Sequence, residues 1–347
     1  MNPKASKYKS VRGVRDWLKN STESKKGAAL FQGSCEGLLR GMPNGCVDLI
    51  ITSPPYCMGK EYEHKDHDLQ TFIESHQKLL PLAVAALKEG GSLCWQVGFH
   101  VQSGICTPLD FLIFQAMQAF PQMKLRNRIV WTFGHGLHCS NRFSGRHETI
   151  LWFTKGDKFD FDLDAVRIAQ KYPGKRYSVG PKKGLPSGNP SGKNPTDVWD
   201  IPNVKAKHVE KTDHPCQFPV GIVQRLVRAL TKPGDLVFDP FSGVASAGVA
   251  AVVEGRRYLG AEVDESYVNI ADKRLALAFQ GKLDYRPADR AIHVPNPNDQ
   301  VVKRPPGFAS AIDTNQAGRH AAVVREKTRS RLTDPGRQRV TRARQIV

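Results

Sequence analysis

Val47-Asp48-Leu49-Ile50-Ile51 runs straight into Thr52-Ser53-Pro54-Pro55-Tyr56, and a second apolar run, Asp235-Leu236-Val237-Phe238, runs into Asp239-Pro240-Phe241-Ser242-Gly243. Each reads as a buried strand stopped by a proline or glycine turn signal. In an open α/β sheet the carboxyl ends of the strands line the ligand crevice, so two punctuated strand ends predict one shared site.

Working outward, residues 28–31 read as a short strand and 35–40 as a helical turn. Apolar residues at helical spacing (Phe72, Ile73, Leu79, Leu80, Ala83, Val84, Leu87) predict a helix over 69–87 that stops at Gly90-Gly91. Strand 92–97, helix 108–120, and strands 128–133 and 148–154 complete an α/β half over residues 28–156. A second half, 213–286, carries helix 219–230, the Asp235 strand, helix 245–253, strand 257–263 and helix 265–279.

Three segments fall outside this pattern. Residues 1–27 are polar and basic, with Trp17 and Leu18 the main apolar spot, and read as a loose arm. From 157 to 212 helical periodicity disappears and Gly, Pro, Lys and Ser crowd together. Its Lys175, Arg176, Lys182, Lys183 and Lys193 suit phosphate contact, and Tyr172, Tyr177 and Trp199 suit base stacking, so the insertion is a candidate for DNA target recognition, with a surface insertion as the plainer reading. Arg142 is a further candidate DNA contact, alongside Arg146 and His135. Residues 287–347 hold 12 Lys and Arg against 5 Asp and Glu with few large apolar residues, and read as a disordered basic tail.

Composition limits the function classes. A chain of 347 residues that is 40% hydrophobic can bury a large core, and its formal charge of +18 favours a polyanionic partner such as nucleic acid. The seven cysteines lack a CxxC pair, which points away from a disulfide framework or thiolate zinc site and fits a reducing cytoplasm. No apolar run is long enough to span a membrane. The pairs His64/His67 and His135/His138 have H-x-x-H spacing but no accompanying cysteine or carboxylate cluster, so no metal is assigned.

The two turns carry distinct chemistry. Pro54 and Pro55 hold the backbone extended and have no N–H, leaving the carbonyls of Ser53 and Pro54 free to accept hydrogen bonds. An exocyclic amino group is the natural donor, and the Tyr56 ring offers a face on which an extruded base can stack. The turn from Asp239 to Gly243 directs backbone N–H groups and a helix N-terminus at a ligand, the amino-acid part of a cofactor. Nineteen residues after Gly243, Glu262 ends the next strand, placed to accept from both ribose hydroxyls of an adenosine. A nicotinamide site is disfavoured because G-x-G-x-x-G is absent. Pro215-Cys216-Gln217 mimics a C5-cytosine nucleophile motif, but it precedes a helix that feeds the cofactor strand.

With these residues the stretch from Ala28 to Leu283 resembles the amino-group class of S-adenosylmethionine-dependent DNA methyltransferases, in the permuted beta group where the catalytic motif precedes the cofactor motif. Ile51 to Tyr56 resembles the catalytic motif. His214-Pro215-Cys216-Gln217-Phe218-Pro219 resembles the segment leading into the cofactor fold, Asp239 to Gly243 the methionine-binding turn, and Arg146 to Phe153 a late strand. The resemblance implies a Rossmann-like, circularly permuted, seven-stranded α/β sheet with an inserted target-recognition region, in which the two opening strands are neighbours.

It also implies S-adenosylmethionine as cofactor, held by Asp239, Pro240, Phe241, Ser242, Gly243, Glu262, Gln217, Phe218 and Ser34. Catalysis falls to Ser53, Pro54, Pro55 and Tyr56, and double-stranded DNA is the substrate. Gly33-Ser34 stands where the family often has Gly-Asp. The serine form of the catalytic motif favours N4 of cytosine over N6 of adenine. RNA, a protein glutamine and a catalytically dead DNA-binding module are the rival readings. Dimers are common in this group, so a homodimer is an expected partner by analogy, and a cognate restriction endonuclease is another.

Overall fold

A computed structural model describes residues 5–56, 68–134, 136, 138–292, 296 and 300. The chain is one compact unit through Ala291, with a separate unit from Ile292. The basic tail and the histidines at 64, 67 and 135 lie wholly or almost wholly outside the described residues.

The described strands, in chain order, are β1 (Ser6–Tyr8), β2 (Ala28–Gln32), β3 (Val47–Thr52), β4 (Leu87–Val97), β5 (Phe99–Gln102), β6 (Ile105–Pro108), β7 (Met123–Thr132), β8 (His147–Lys155), β9 (Val198–Asp200), β10 (Leu236–Asp239) and β11 (Arg257–Glu262). The helices are α1 (Val11–Ser24), α2 (Cys35–Gly41), α3 (Leu69–Ala86), α4 (Leu109–Met117), α5 (Val220–Leu230), α6 (Ser246–Val253) and α7 (Glu265–Phe279).

Nine strands form one sheet in the order β1-β2-β11-β10-β3-β4-β8-β7-β9, and β5 and β6 make a separate hairpin. Seven of the nine, β2 to β7 in that order, are the sheet implied by the resemblance; β1 and β9 extend its two edges. β10 and β3 are parallel neighbours, with Val237 beside Leu49 and Phe238 beside Ile50. From β10 the order runs outward through β11 and β2, and from β3 through β4 and β8. The boundary between β10 and β3 is therefore a topological switch point, where a ligand crevice is expected at the strands' carboxyl ends.

Strand alternation divides the core into two layers. Ala29, Phe31, Ile50 and Leu93 pack with Val14 and Trp17 of α1, Leu38 of α2, Phe72 and Leu80 of α3 and Ile113 of α4. Ala28, Leu30, Leu49 and Val237 face the other way, onto Ile222 and Leu226 of α5, Ala247 of α6 and Leu275 of α7. Each fully buried large aliphatic or aromatic side chain contributes about 1.5–3 kcal/mol.

Three expectations need correction. The described part of the 1–27 segment, from residue 5 on, is no loose arm: Ser10 caps α1 by accepting from the Gly13 N–H, and Val14, Trp17, Leu18 and Ser21 form its buried stripe. The spacing i, i+3, i+4, i+7 was present in the sequence but diluted by surrounding lysines. β4 begins at Leu87 rather than Ser92, because Leu87 pairs with Val47 and the strand passes through Gly90-Gly91. The 157–212 insertion is tied down at several points: β9 adds in parallel to β7, the Asp162 N–H donates to the Ala229 carbonyl, and Glu210 accepts from the Val220 N–H. No described helix is long and apolar enough to cross a membrane.

Candidate active site

The turn after β3 and the turn after β10 meet at the switch point. Thr52, fully buried at the end of β3, donates from its hydroxyl to Asp239 Oδ1 at 2.7 Å. The same oxygen accepts from the Phe241 N–H at 3.0 Å, so one carboxylate holds both the neighbouring strand and its own turn. Burial raises the Asp239 pKa to about 7, against the lowering effect of the two donors.

Beyond Asp239 the turn is fixed from three sides. The Ser242 N–H donates to the Ala261 carbonyl at 2.9 Å, and its hydroxyl meets Tyr258 Oη at 2.8 Å. Gly243 has φ +49°, and a side chain there would meet the His214 ring, its Cβ 3.2 Å from Nε2. Only glycine takes this conformation without strain and leaves the space to His214. Arg274 of α7, buried, donates to the Val244 carbonyl and to Ser246 Oγ, anchoring the start of α6.

Glu262 ends β11, and its two oxygens accept from the Gly243 N–H and the Asp264 N–H, each at 2.9 Å. Each oxygen keeps a further lone pair for another donor. Burial raises the Glu262 pKa. Ser34 lies close by along the sheet edge: the preceding Gly33 N–H donates to the Glu262 carbonyl at 2.8 Å, and Ser34 begins α2 without a side-chain capping bond.

The His214 ring packs at a tilt of 58° against Tyr267 of α7, centroids 4.6 Å apart, and its Nδ1 accepts from the Cys216 N–H. Burial, with Lys211 and Arg274 near, lowers its pKa to about 4, so the ring is neutral at physiological pH. Gln217 is turned inward: its carbonyl oxygen accepts from the Thr212 N–H and hydroxyl, and its amide donates to the Glu210 carbonyl. It fixes the 210–217 loop. Phe218 packs in the layer of α5–α7, its ring 6.2 Å from that of Trp131.

On the β3 side, Ser53 Oγ and Tyr56 Oη lie 3.2 Å apart. Tyr56 Oη in turn donates to Glu148 Oε2 at 3.5 Å, and the same oxygen accepts from the Gln96 amide. Glu148 belongs to β8, which runs antiparallel to β4, so its first residues come back to the end of the sheet where Ser53 stands. Burial raises the Glu148 pKa to about 7. Gly98 makes room for this pocket, since a Cβ there would stand 3.3 Å from Tyr56 Cε2 and 3.4 Å from Glu148 Cγ. Glu148 lay in a stretch read from sequence only as a strand, and its place in the pocket follows from the antiparallel return of β8.

Lys175, Arg176, Lys182, Lys183 and Lys193 of the insertion are exposed, as is Arg142 between β7 and β8. Arg176 also donates to the Gly184 carbonyl within its own loop. Tyr172 and Tyr177 are exposed, but Trp199 is not available to a base: it is buried, donates to the Thr196 carbonyl and lies under the Arg225 guanidinium. Phe143, next to Arg142, is fully exposed. Among the described residues no group of His, Cys, Asp and Glu could hold a metal ion.

This arrangement has relatives. The profile of the N6/N4 DNA methylase family matches residues 47–273. The chain is 42% identical to the type II methyltransferase M.BglII of Bacillus subtilis, over 70% of this chain and 67% of that protein. It is 29% identical to the DNA adenine methyltransferase YhdJ of Escherichia coli (strain K12), over 72% of this chain and 83% of that one. The structure of the cytosine-N4-specific PvuII DNA methyltransferase superimposes with a TM-score of 0.57 at 19% identity, covering 74% of this chain and 93% of that one, a likeness of fold. The strand order, the paired turns and these matches agree: the chain belongs to the N6/N4 DNA methylase family and is a DNA amino-methyltransferase.

Proposed function

We propose that the protein transfers a methyl group from S-adenosylmethionine to the exocyclic amino nitrogen of a base extruded from duplex DNA, with N4 of cytosine as the target. The observation that carries this reading is the Thr52–Asp239 hydrogen bond, which holds the Ser53-Pro54-Pro55-Tyr56 turn beside the Asp239–Gly243 turn. An amino-group acceptor and a cofactor turn 187 residues apart in the sequence thus open on one crevice.

The residues present fit the cofactor. Asp239 offers a buried carboxylate on the side of the turn, suited to a cationic amino-acid group, and Glu262 keeps lone pairs for the ribose hydroxyls. Pro240, Phe241, Ser242 and Gly243 form the floor between them, with Ser34 at the edge beside Glu262. Gln217 and Phe218 act on the cofactor region indirectly, by fixing the loop that carries His214. When bound, S-adenosylmethionine supplies an electrophilic methyl group on a sulfonium.

The chain's own residues supply orientation and polarisation. Hydrogen bonds from the amino group to Ser53 Oγ and the Pro54 carbonyl draw the nitrogen away from conjugation with the ring, toward a tetrahedral and more nucleophilic geometry. Pro55 keeps that carbonyl aimed, and Tyr56 supports the base. Lys175, Arg176, Lys182, Lys183, Lys193 and Arg142 bind phosphate, and Tyr172, Tyr177 and Phe143 are exposed aromatic groups that bases can meet.

Serine at the head of the motif supports cytosine. The type II name of the 42%-identical relative supports a place in a restriction-modification system, with a cognate endonuclease as partner. Transfer of labelled methyl from S-adenosylmethionine to DNA, RNA and protein in parallel, followed by nucleoside analysis of the DNA, tests the substrate and the base together.

A further inference from the structure

The catalytic pocket contains a carboxyl group that the mechanism above does not use. Glu148 is linked to Ser53 through the Tyr56 hydroxyl, with 3.2 Å between Ser53 Oγ and Tyr56 Oη and 3.5 Å from Tyr56 Oη to Glu148 Oε2. Its other partner is the uncharged Gln96 amide. Its chain neighbour His147 lies edge-on to the Phe99 ring at 4.9 Å, and its register partner on β7 is Trp131. Among the described residues, the groups acting on the carboxyl are therefore Gln96 from β4 and Tyr56 from the turn after β3, neither of them a cation.

A largely desolvated carboxyl whose partners among the described residues are neutral is a costly way to tie β8 to β4. A glutamine would hydrogen-bond Gln96 and Tyr56 without the desolvation of a charge. The space left by Gly98 brings Tyr56 and Glu148 together at the same point. A titratable group held at such cost beside reacting atoms is a candidate for proton chemistry.

We propose that Glu148, acting through Tyr56, takes up the proton that the amino nitrogen loses on methylation, so that Ser53, Tyr56 and Glu148 form one relay leading out of the pocket. The nitrogen lone pair forms the N–C bond while the C–S bond breaks, its electrons remaining on sulfur as a neutral thioether. The N–H bond then breaks with its pair returning to nitrogen. The proton passes to Ser53 Oγ as the serine proton passes to Tyr56 Oη and the tyrosine proton to the Glu148 carboxylate. One positive charge, on the sulfonium, and one negative charge, on the carboxylate, are removed together. Cancelling charge in a site of low dielectric favours the forward direction.

This relay rests on the methyl-transfer reading, and the two fail differently. If that reading fails, the wild-type chain transfers no labelled methyl to DNA at any pH. The relay is tested by single-turnover transfer at saturating S-adenosylmethionine, with enzyme in excess over DNA, as a function of pH for wild type, Glu148→Gln, Glu148→Asp and Tyr56→Phe. Cofactor titration and thermal unfolding run beside it.

The expected wild-type rate falls as pH drops below about 7, where Glu148 becomes protonated. Glu148→Gln and Tyr56→Phe are expected to be slower by about 10²-fold and to lose the acid limb while still binding cofactor. Glu148→Asp should restore part of the rate and the limb with it. A wild-type rate without an acid limb, or a Glu148→Gln protein that keeps the wild-type rate or the wild-type limb, overturns the relay. Should Glu148→Gln fail to fold, Tyr56→Phe decides alone, because it cuts the same path and leaves the ring.

Discussion

Thr52 Oγ1 and Asp239 Oδ1 are 2.7 Å apart, joining side chains 187 residues apart in the sequence. The bond fastens the turn that presents Ser53 to the turn that presents the cofactor floor. Replacing Thr52 by valine removes a donor from a buried carboxylate, at a cost of about 1–3 kcal/mol. Thr52→Val should lower the melting temperature and weaken S-adenosylmethionine binding in calorimetric titration. Thr52→Ser, which keeps the hydroxyl, should do neither to the same degree.

Asp239 should make cofactor binding pH-dependent. Its pKa in the folded chain is about 7, above its ordinary value, so the fold disfavours the ionised form. The stability associated with this group is present in full below the ordinary carboxylate range and is lost as pH rises through about 7. A cationic cofactor group restores the ionised form, so affinity should fall by up to about tenfold per pH unit below 7. Asp239→Asn should flatten that dependence, and Asp239→Ala should abolish measurable binding.

Ser53→Ala should reduce methyl transfer by about 10²-fold or more while S-adenosylmethionine binding stays within a factor of two or so of wild type. Single-turnover transfer beside calorimetry separates the two effects. Wild-type turnover in this variant would refute the assignment of Ser53.

Gly98→Ala introduces a methyl group 3.3 Å from Tyr56 Cε2 and 3.4 Å from Glu148 Cγ. Both neighbours must give way by a few tenths of an ångström. The rate of transfer should fall more than cofactor affinity or melting temperature, because Tyr56 and Glu148 stand beside Ser53 in the pocket proposed for the base.

Trp17→Ala should cost about 3–5 kcal/mol, the price of truncating a large buried aromatic side chain. Thermal unfolding checks it directly. A solvated arm would lose nothing measurable.

The central sheet was legible because its strands are short apolar runs closed by Pro or Gly, as at Ile51-Thr52-Ser53-Pro54 and Phe238-Asp239-Pro240. The adjacency of β3 and β10 came from the family resemblance rather than from any local signal in the chain. Glu262 was legible as an acidic residue closing the next apolar strand, nineteen residues after Gly243. Glu148 was not, since nothing local says that an antiparallel strand will return it to Tyr56. Gln217 was named as a cofactor contact, whereas its side chain turns inward onto Thr212 and Glu210, an orientation that depends on tertiary contacts. Trp199 looked like a stacking residue by composition, whereas β9 joins the sheet and buries it.

The most direct test of the whole account is incubation of the purified chain with unmethylated duplex DNA and methyl-labelled S-adenosylmethionine, followed by digestion and mass spectrometry of the nucleosides. Label is expected in N4-methyldeoxycytidine and is expected to be absent with Ser53→Ala. Label in N6-methyldeoxyadenosine would leave the amino-transfer site standing and overturn the choice of base. DNA free of any amino-methylated nucleoside, with cofactor bound and the chain folded, would contradict the account.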